Sequence, residues 1–343
     1  MPIHNKFIVP GRKTFAWRCL KNRARLVNDL KAKKAVSSGK PNILYIESTN
    51  RCNLDCIMCP RRLMTRAQVD MDLGLFSQII GRLDQQLTEL IVLHSDGEPL
   101  QNPHIVEMIR MAKSMGISVM TSTNATMLDE QTTHELIDSG LDVLTLSIDS
   151  INSEVYESIR KGANYGKVLS NIVTFLKVKG NRKPFTILQM IEMRENVDQE
   201  DDFLRFWKPF LNQSVHAVIK PMTDWFNEHD EIIDELNFCD RPWFGLVIQS
   251  NGNVVPCVHD FNGFEVIGVL PRDNIYGLWN SAAMVKLRQG ISRGRRENEL
   301  CRRCNATPPR TFGLSVSAGL TLLDMATIAK SLAVTGYNRP KQY

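Results

Sequence analysis

The chain has no apolar run long enough to cross a bilayer. Its longest candidate, 312–334, is broken by Asp324 and Lys330, whereas a spanning helix needs about 18 or more apolar residues in succession. Cysteine is too sparse for a disulfide scaffold, eight in 343 residues. No Gly-x-Gly-x-x-Gly follows any strand-like run, so the phosphate-cradling turn of a nicotinamide fold is missing. Acid is scarce in one stretch only: residues 1–40 hold 11 Lys and Arg against Asp29 alone, a charge of +10. The whole chain is +5, so the remainder carries 31 basic and 36 acidic residues, or −5. That balance argues against nucleic-acid binding by the body of the chain. The basic stretch reads as an amphipathic helix packed on that body, with anionic lipid or an acidic partner as the alternatives. It contains no apolar signal segment, and a thiol-rich site needs reducing surroundings, so the expected location is cytoplasmic.

What is present begins with Cys52-Asn53-Leu54-Asp55-Cys56-Ile57-Met58-Cys59-Pro60. Three cysteines within eight residues can aim three thiolates at one point. Structural zinc takes four ligands, and so does a fully ligated iron–sulfur cube. Three local thiolates therefore point to a cube with one iron open to something other than protein.

The run 43–46 before this loop reads as a strand, and the pattern then repeats as strand and helix. Further strands are expected at 90–93, 117–120, 143–146, 185–191 and 216–220. Between them, helices start near residues 73, 102, 129, 153, 165 and 201. Asn102 before Pro103 reads as a helix cap. Short apolar strands alternating with amphipathic helices predict a parallel sheet with helices outside, and six units are too few for a closed eight-stranded barrel. Sites in such folds lie at the carboxyl ends of the strands. The expected organisation is a basic segment over 1–41, an α/β core over 42–225, a small second domain over 226–310 and an apolar helix and tail over 311–343.

The spacing C-x3-C-x2-C resembles the radical S-adenosylmethionine (radical SAM) enzymes, and other segments follow suit in order. Asp96-Gly97-Glu98-Pro99 is similar to the family's Gly-Gly-Glu-Pro, with Asp96 in place of the first glycine. Thr123-Asn124-Ala125-Thr126 is similar to Thr-Asn-Gly-Thr. Ser147 and Asp149 end the fourth strand on one face, and Arg160 lies 13 residues past Ser147. The resemblance implies a partial (β/α)6 barrel, with a [4Fe–4S] cluster on Cys52, Cys56 and Cys59 whose open iron is chelated by SAM. It further implies SAM contacts from Glu98, Asn124, Ser147, Arg160, Gln189 and Met222. Met58 stands where many relatives carry an aromatic residue, and its thioether can fill that space.

Four more cysteines follow the barrel pattern: Cys239, Cys257, Cys301 and Cys304. The turn signal Asn251-Gly252 between apolar runs predicts a hairpin closed by Cys257. Four thiolates suit a zinc ion or a second, fully ligated cluster. The segment resembles a twitch domain, a shortened SPASM domain, which implies a second [4Fe–4S] cluster. The whole is most similar to radical SAM dehydrogenases that oxidise a secondary alcohol of a sugar or aminocyclitol. The implied partners are a small-molecule substrate (sugar, aminocyclitol or glycan precursor) and a flavodoxin or ferredoxin electron donor. Sugar epimerisation, peptide maturation and a non-enzymatic metal protein are the alternatives. Epimerisation needs a hydrogen donor, for which Cys19 is the one spare thiol, although a buried apolar position suits Cys19 better. His94, Asp224 and His259 fall near loop ends, yet no residue stands out as the general base. Contact of the basic and apolar ends with a membrane surface is a further expectation.

Overall fold

A computed structural model describes residues 15–222, 239–294, 297–302 and 304. Asp224, the expected boundary near 225 and the apolar segment 312–334 lie outside the described residues. The chain opens with α1 (Phe15–Lys31) and β1 (Ile43–Ile46), followed by the short β2 (Asp55–Cys56) in the cysteine loop. Then come α2 (Leu73–Ile80), β3 (Leu90–Val92), α3 (Ile105–Ser114), β4 (Ser118–Thr123), α4 (Glu130–Asp138) and β5 (Val143–Ser147). Next are α5 (Ser153–Ile159), β6 (Arg160–Lys161), α6 (Tyr165–Lys179), β7 (Phe185–Glu192), α7 (Glu200–Trp207) and β8 (Val215–Pro221). The last part holds β9 (Gly245–Ile248), β10 (Asn253–Val255), β11 (Gly268–Val269), α8 (Ile275–Leu278), α9 (Ala282–Arg293) and α10 (Glu299–Arg302).

Strands β1, β3, β4, β5, β7 and β8 form a continuous parallel run in that order. The helices between them pack their apolar stripes on it. On α2 these are Phe76, Ile79 and Ile80, and on α3 they are Ile105, Met108, Ile109 and Ala112. Each such side chain stabilises the fold by roughly 1.5–3 kcal/mol on burial. Local capping sets the helix starts: Asp72, Asp129, Asn152 and Asn164 each accept a backbone N–H of the first turn. Asn102 does not cap α3, contrary to the sequence reading. Its amide donates to the carbonyls of Ser48 and Met71, tying the strand-end loops together one turn before the helix begins at Ile105.

The hairpin of the second domain forms as expected, with Gly252 at φ +86° in its turn. It is not a separate layer, however. Strand β9 pairs in parallel with the free edge of β1, from Ile43 opposite Gly245 to Ile46 opposite Ile248. The resulting sheet has nine strands in the order β11-β10-β9-β1-β3-β4-β5-β7-β8. Both edges of β1 are thereby covered, which removes the exposed template an edge strand would present.

Helix α1 buries Cys19, Leu26 and Leu30 and is fixed by Arg23 to Glu89, the residue before β3. It therefore lies at the amino ends of the strands. Among the described residues no helix is long and apolar enough to cross a membrane.

Candidate active site

At the carboxyl ends of the parallel strands a cavity of about 240 Å³ is lined by Cys52, Cys56 and Cys59. Facing them are Glu98, Asn124, Ser147, Arg160 and Met222, five of the six residues expected to contact SAM. Gln189 is not in the wall. It shares the face of Ile191, which does line the cavity, but lies one pleat deeper, paired with Ser147 in the sheet.

Local geometry explains why these loops meet. The cysteine loop pairs through β2 with β6, Cys56 opposite Arg160, and the Ile57 N–H donates to the Ile159 carbonyl at 3.0 Å. The Glu98 N–H donates to the Arg51 carbonyl at 2.8 Å. A Cβ at Gly97 would lie 2.2 Å from the Thr49 carbonyl oxygen, so glycine is required for this approach. Asp96 needs no glycine: positive φ among non-glycine described residues is confined to Lys33 and Ala125. Ala125 itself, at φ +60°, occupies the position where the similar motif has glycine.

Glu98 is buried, and its two carboxylate oxygens accept the N–H groups of Leu100 (3.1 Å) and Asn124 (2.7 Å). Burial raises its pKa, while the donated N–H groups oppose the rise. The Asn124 amide reaches Asn53 Oδ1 at 3.0 Å and lies 3.9 Å from Cys52 Sγ. Arg160 donates from Nε to Asp149 at 2.6 Å and places Nη1 3.9 Å from Cys56 Sγ. Asp149 is thus spent on Arg160 and on the Ile191 N–H (2.8 Å), and does not reach the cavity as its position on the strand suggested.

Other groups in the wall carry weaker signals in the sequence. Lys220 shares the strand face of Met222, and Ser122 that of Asn124, so period-two alternation points to both. Burial lowers the Lys220 ammonium. His94, two residues past β3, has its Nδ1 buried without a hydrogen-bond partner. Burial, then the nearby Lys220 charge, pushes its pKa from 6.5 down to about 4, so the imidazole is neutral. A depressed histidine contributes stability above its unfolded pKa and loses it on acidification. Stability is expected to fall by up to about 3 kcal/mol between pH 6.5 and 4. Chemical denaturation of His94→Gln across that range should show a flatter profile.

Behind the cavity lies a buried charge network that sequence reading missed, because its members are far apart along the chain. Arg66 donates to both oxygens of Glu47, pairs with Asp96 at 3.4 Å and donates from Nε to the Phe261 carbonyl. Glu47 also accepts from the Ser250 N–H and hydroxyl, at 2.9 and 2.8 Å. The network joins β1, the segment after Cys59, the Gly97-Glu98 loop and the second domain. Burial and the neighbouring Glu47 carboxylate raise the Asp96 pKa.

The second cavity is lined by Cys239, Cys257, Cys301 and Cys304, with Arg241, His259, Leu287 and Ile291. His259 ring nitrogens lie 3.7 and 3.8 Å from Cys304 Sγ. Neither thiol set forms disulfides. Burial pushes Cys59 and Cys239 up to about 12 and raises Cys52 and Cys56. Such thiols give up their protons only to a strongly cationic group, which is what cluster iron supplies. Among the described residues no three His, Cys, Asp or Glu side chains converge as one ion requires. Three thiols line one cavity and four the other, the donor sets that an open and a fully ligated iron–sulfur cube take.

The Radical SAM superfamily model matches residues 46–206, and the SPASM model, an iron–sulfur cluster-binding domain, matches residues 239–305. The chain has a radical SAM core and a SPASM domain. The radical SAM core and the SPASM domain imply SAM and two [4Fe–4S] clusters as cofactors. The thiols that fit them are Cys52, Cys56 and Cys59 in the core and the four of the SPASM domain. One curated relative is the tungsten-containing aldehyde ferredoxin oxidoreductase cofactor-modifying protein of Pyrococcus furiosus. It is 26% identical over 279 residues, spanning 69% of this chain and 77% of the relative. Several further curated relatives are matched over about half their length. Among solved structures, BtrN in complex with AdoMet and 2-DOIA superposes with a TM-score of 0.56 at 19% identity, covering 78% of this chain and 94% of BtrN. Streptococcus suis SuiB bound to the precursor peptide SuiA gives 0.62 at 15% identity, covering 89% and 78%. At these identities the two likenesses concern the fold.

Proposed function

We propose that this radical SAM enzyme is a dehydrogenase that oxidises a secondary alcohol of a sugar or aminocyclitol in the cytoplasm. When bound, SAM and the core cluster would supply a 5′-deoxyadenosyl radical. Glu98, Asn124, Ser147, Arg160 and Met222 are the residues we assign to holding SAM. In our reading the core spans 42–225 and the auxiliary domain 226–310. The substrate would lose a carbon-bound hydrogen atom, the hydroxyl proton and one electron, becoming a carbonyl, with the electron accepted at the SPASM domain.

The observation that carries this reading is the place of Cys19. Every other cysteine lines one of the two thiol cavities. Cys19 is buried on α1 beside Arg23 and Glu89, at the opposite end of the strands from the cavity. Five residues of extended chain, roughly 17 Å, separate Glu89 from His94 in the cavity wall. The core therefore has no spare thiol to return a hydrogen atom, which epimerisation would need. Arg241 adds support. Its guanidinium is buried beside Cys239, Cys257 and Cys304, where positive charge favours a group that accepts an electron. The cofactor-modifying relative and BtrN, solved in complex with 2-DOIA, agree with a small-molecule substrate.

Turnover of a panel of sugars and aminocyclitols in deuterated water tests the proposal. Oxidation gives a carbonyl product with one 5′-deoxyadenosine per product and no solvent deuterium at the reacting carbon. A product of unchanged oxidation level carrying solvent deuterium there would replace this reading with epimerisation.

A further inference from the structure

The basic charge of the N-terminal region has a definite place in the fold, and that place is beside the auxiliary thiols. Helix α1 and the turn after it expose Lys21, Arg25, Lys31, Lys33 and Lys34, whereas the one acid of this stretch, Asp29, is buried. Asp29 accepts from Ser37, Ser38 and Gly39 and pairs with Lys34 at 3.4 Å, so Lys21, Arg25, Lys31 and Lys33 carry most of the surface charge. The turn is held against α9. Arg288, buried on that helix, donates to the carbonyls of Ala35, Pro242 and Trp279. Ser292 donates to the Lys33 carbonyl at 3.2 Å, Trp243 Nε1 to the Lys34 carbonyl at 2.9 Å and Trp279 Nε1 to the Gly39 carbonyl at 3.1 Å.

The same helix supplies Leu287 and Ile291 to the wall of the auxiliary cavity. One face of α9 thus looks onto the four thiols while the segment 33–35 crosses it from outside. Exposed Lys286 on α9 extends the positive surface, and Arg293 lies beside it, paired with the exposed Glu297 at 3.8 Å. A body resting on Lys31, Lys33, Lys34 and Arg293 stands about one helix diameter, ~10 Å, from the thiol cavity. The core cavity lies at the other end of the strands, so this surface is remote from SAM and substrate.

We propose that this surface docks an acidic one-electron carrier protein of the flavodoxin or ferredoxin type, and that the carrier exchanges its electron at the auxiliary site. The assignment rests on the dehydrogenase reading for the direction of flow. Each turnover deposits one electron at the auxiliary site, and the docked oxidised carrier removes it, becoming reduced by one electron. Charge complementarity selects the occupant. A surface this basic, with no exposed acid between residues 15 and 40, steers an acidic partner into place and makes its association depend on salt. A bilayer bound to α1 would instead lie at the end of the strands away from the cavity.

The test uses the full, cluster-loaded chain and a purified acidic flavodoxin, with association read by calorimetry in the absence of substrate. The double variant Lys31→Glu, Lys33→Glu is expected to bind at least about tenfold more weakly. Wild-type affinity should fall steeply as salt is raised. Dithionite-driven formation of 5′-deoxyadenosine, which needs no carrier, should be unchanged in the variant. Arg293→Glu alone should weaken association by a smaller factor and serves as a second, independent variant. Association of wild-type strength in both variants would overturn the proposal. So would wild-type binding to anionic phosphatidylserine vesicles with none to flavodoxin, which would make the surface a lipid contact. These readouts involve no substrate, so they stand or fall separately from the labelling experiment.

Discussion

Replacing Cys52, Cys56 and Cys59 together by Ala is expected to abolish reductive cleavage of SAM while leaving the auxiliary cluster in place. Anaerobically reconstituted wild-type chain should hold about eight irons, and the triple variant about four. The separation follows from the structure. The two thiol sets line different cavities, one at the mouth of the parallel run and the other between Cys257 after β10 and the α9–α10 region. The three core thiols are joined to the barrel by backbone bonds, from Ile57 to Ile159 and through the Cys56–Arg160 pair, that survive truncation at Cβ. The variant should therefore fold. Its 5′-deoxyadenosine yield should fall to background while its auxiliary absorbance persists. Surviving SAM cleavage would detach the reaction from this loop.

The second large effect concerns Arg66. Its side chain is 9% exposed and its partners Glu47 and Asp96 are 0% and 8% exposed. Arg66→Met leaves two buried carboxylates without their cation, a change that typically costs about 3–5 kcal/mol. Removing one partner is far worse than never having had the pair, so Glu47→Gln together with Arg66→Met should recover part of the loss. The pH dependence has a definite sign. Asp96 already has a raised pKa in the folded chain. A raised carboxyl binds its proton more tightly folded than unfolded, so its contribution worsens as pH rises from the ordinary carboxylate range toward neutrality. Arg66→Met should sharpen that decline, and urea unfolding between pH 5 and 8 is expected to show it. Because Phe261 and Ser250 hang on the same network, protease cleavage in the segment 256–267 should also speed up. A variant as stable as wild type would show that the Arg66 network contributes nothing to joining the core and the SPASM domain.

Much of this arrangement is legible in local sequence. Each strand of the parallel run announces itself by a short apolar burst, and the expected ends fall within a few residues of those observed. The cysteine spacing, Glu98, Asn124, Ser147 and Arg160 are legible because parallel folds place their strand-end residues in one region. Long-range pairing is where sequence reading ends. Nothing in Gly245-Leu246-Val247-Ile248 says that it will lie against Ile43–Ile46, since any buried apolar strand would serve. Arg66 has no motif, because its partners at 47, 96 and 261 come together only in three dimensions. Asn102 and Asp149 illustrate the reverse error. Each has the residue type and position for one task, yet the Asn102 amide and the Asp149 carboxylate are taken by partners distant along the chain, which one-dimensional periodicity does not see. Cys19 is buried as its apolar stripe suggested, while its distance from the cavity follows from the ion pair of Arg23 with Glu89, a contact 66 residues apart in sequence.

In the proposed arrangement the core thiols hold a cluster with one iron open to SAM while the SPASM thiols hold a closed one. Mössbauer spectra of the chain loaded with iron-57, recorded before and after addition of SAM, test it most directly. About eight irons are expected, of which one changes its spectrum when SAM is added in wild type and none in the variant lacking Cys52, Cys56 and Cys59. An iron content near four, or a wild-type spectrum unmoved by SAM, would contradict it.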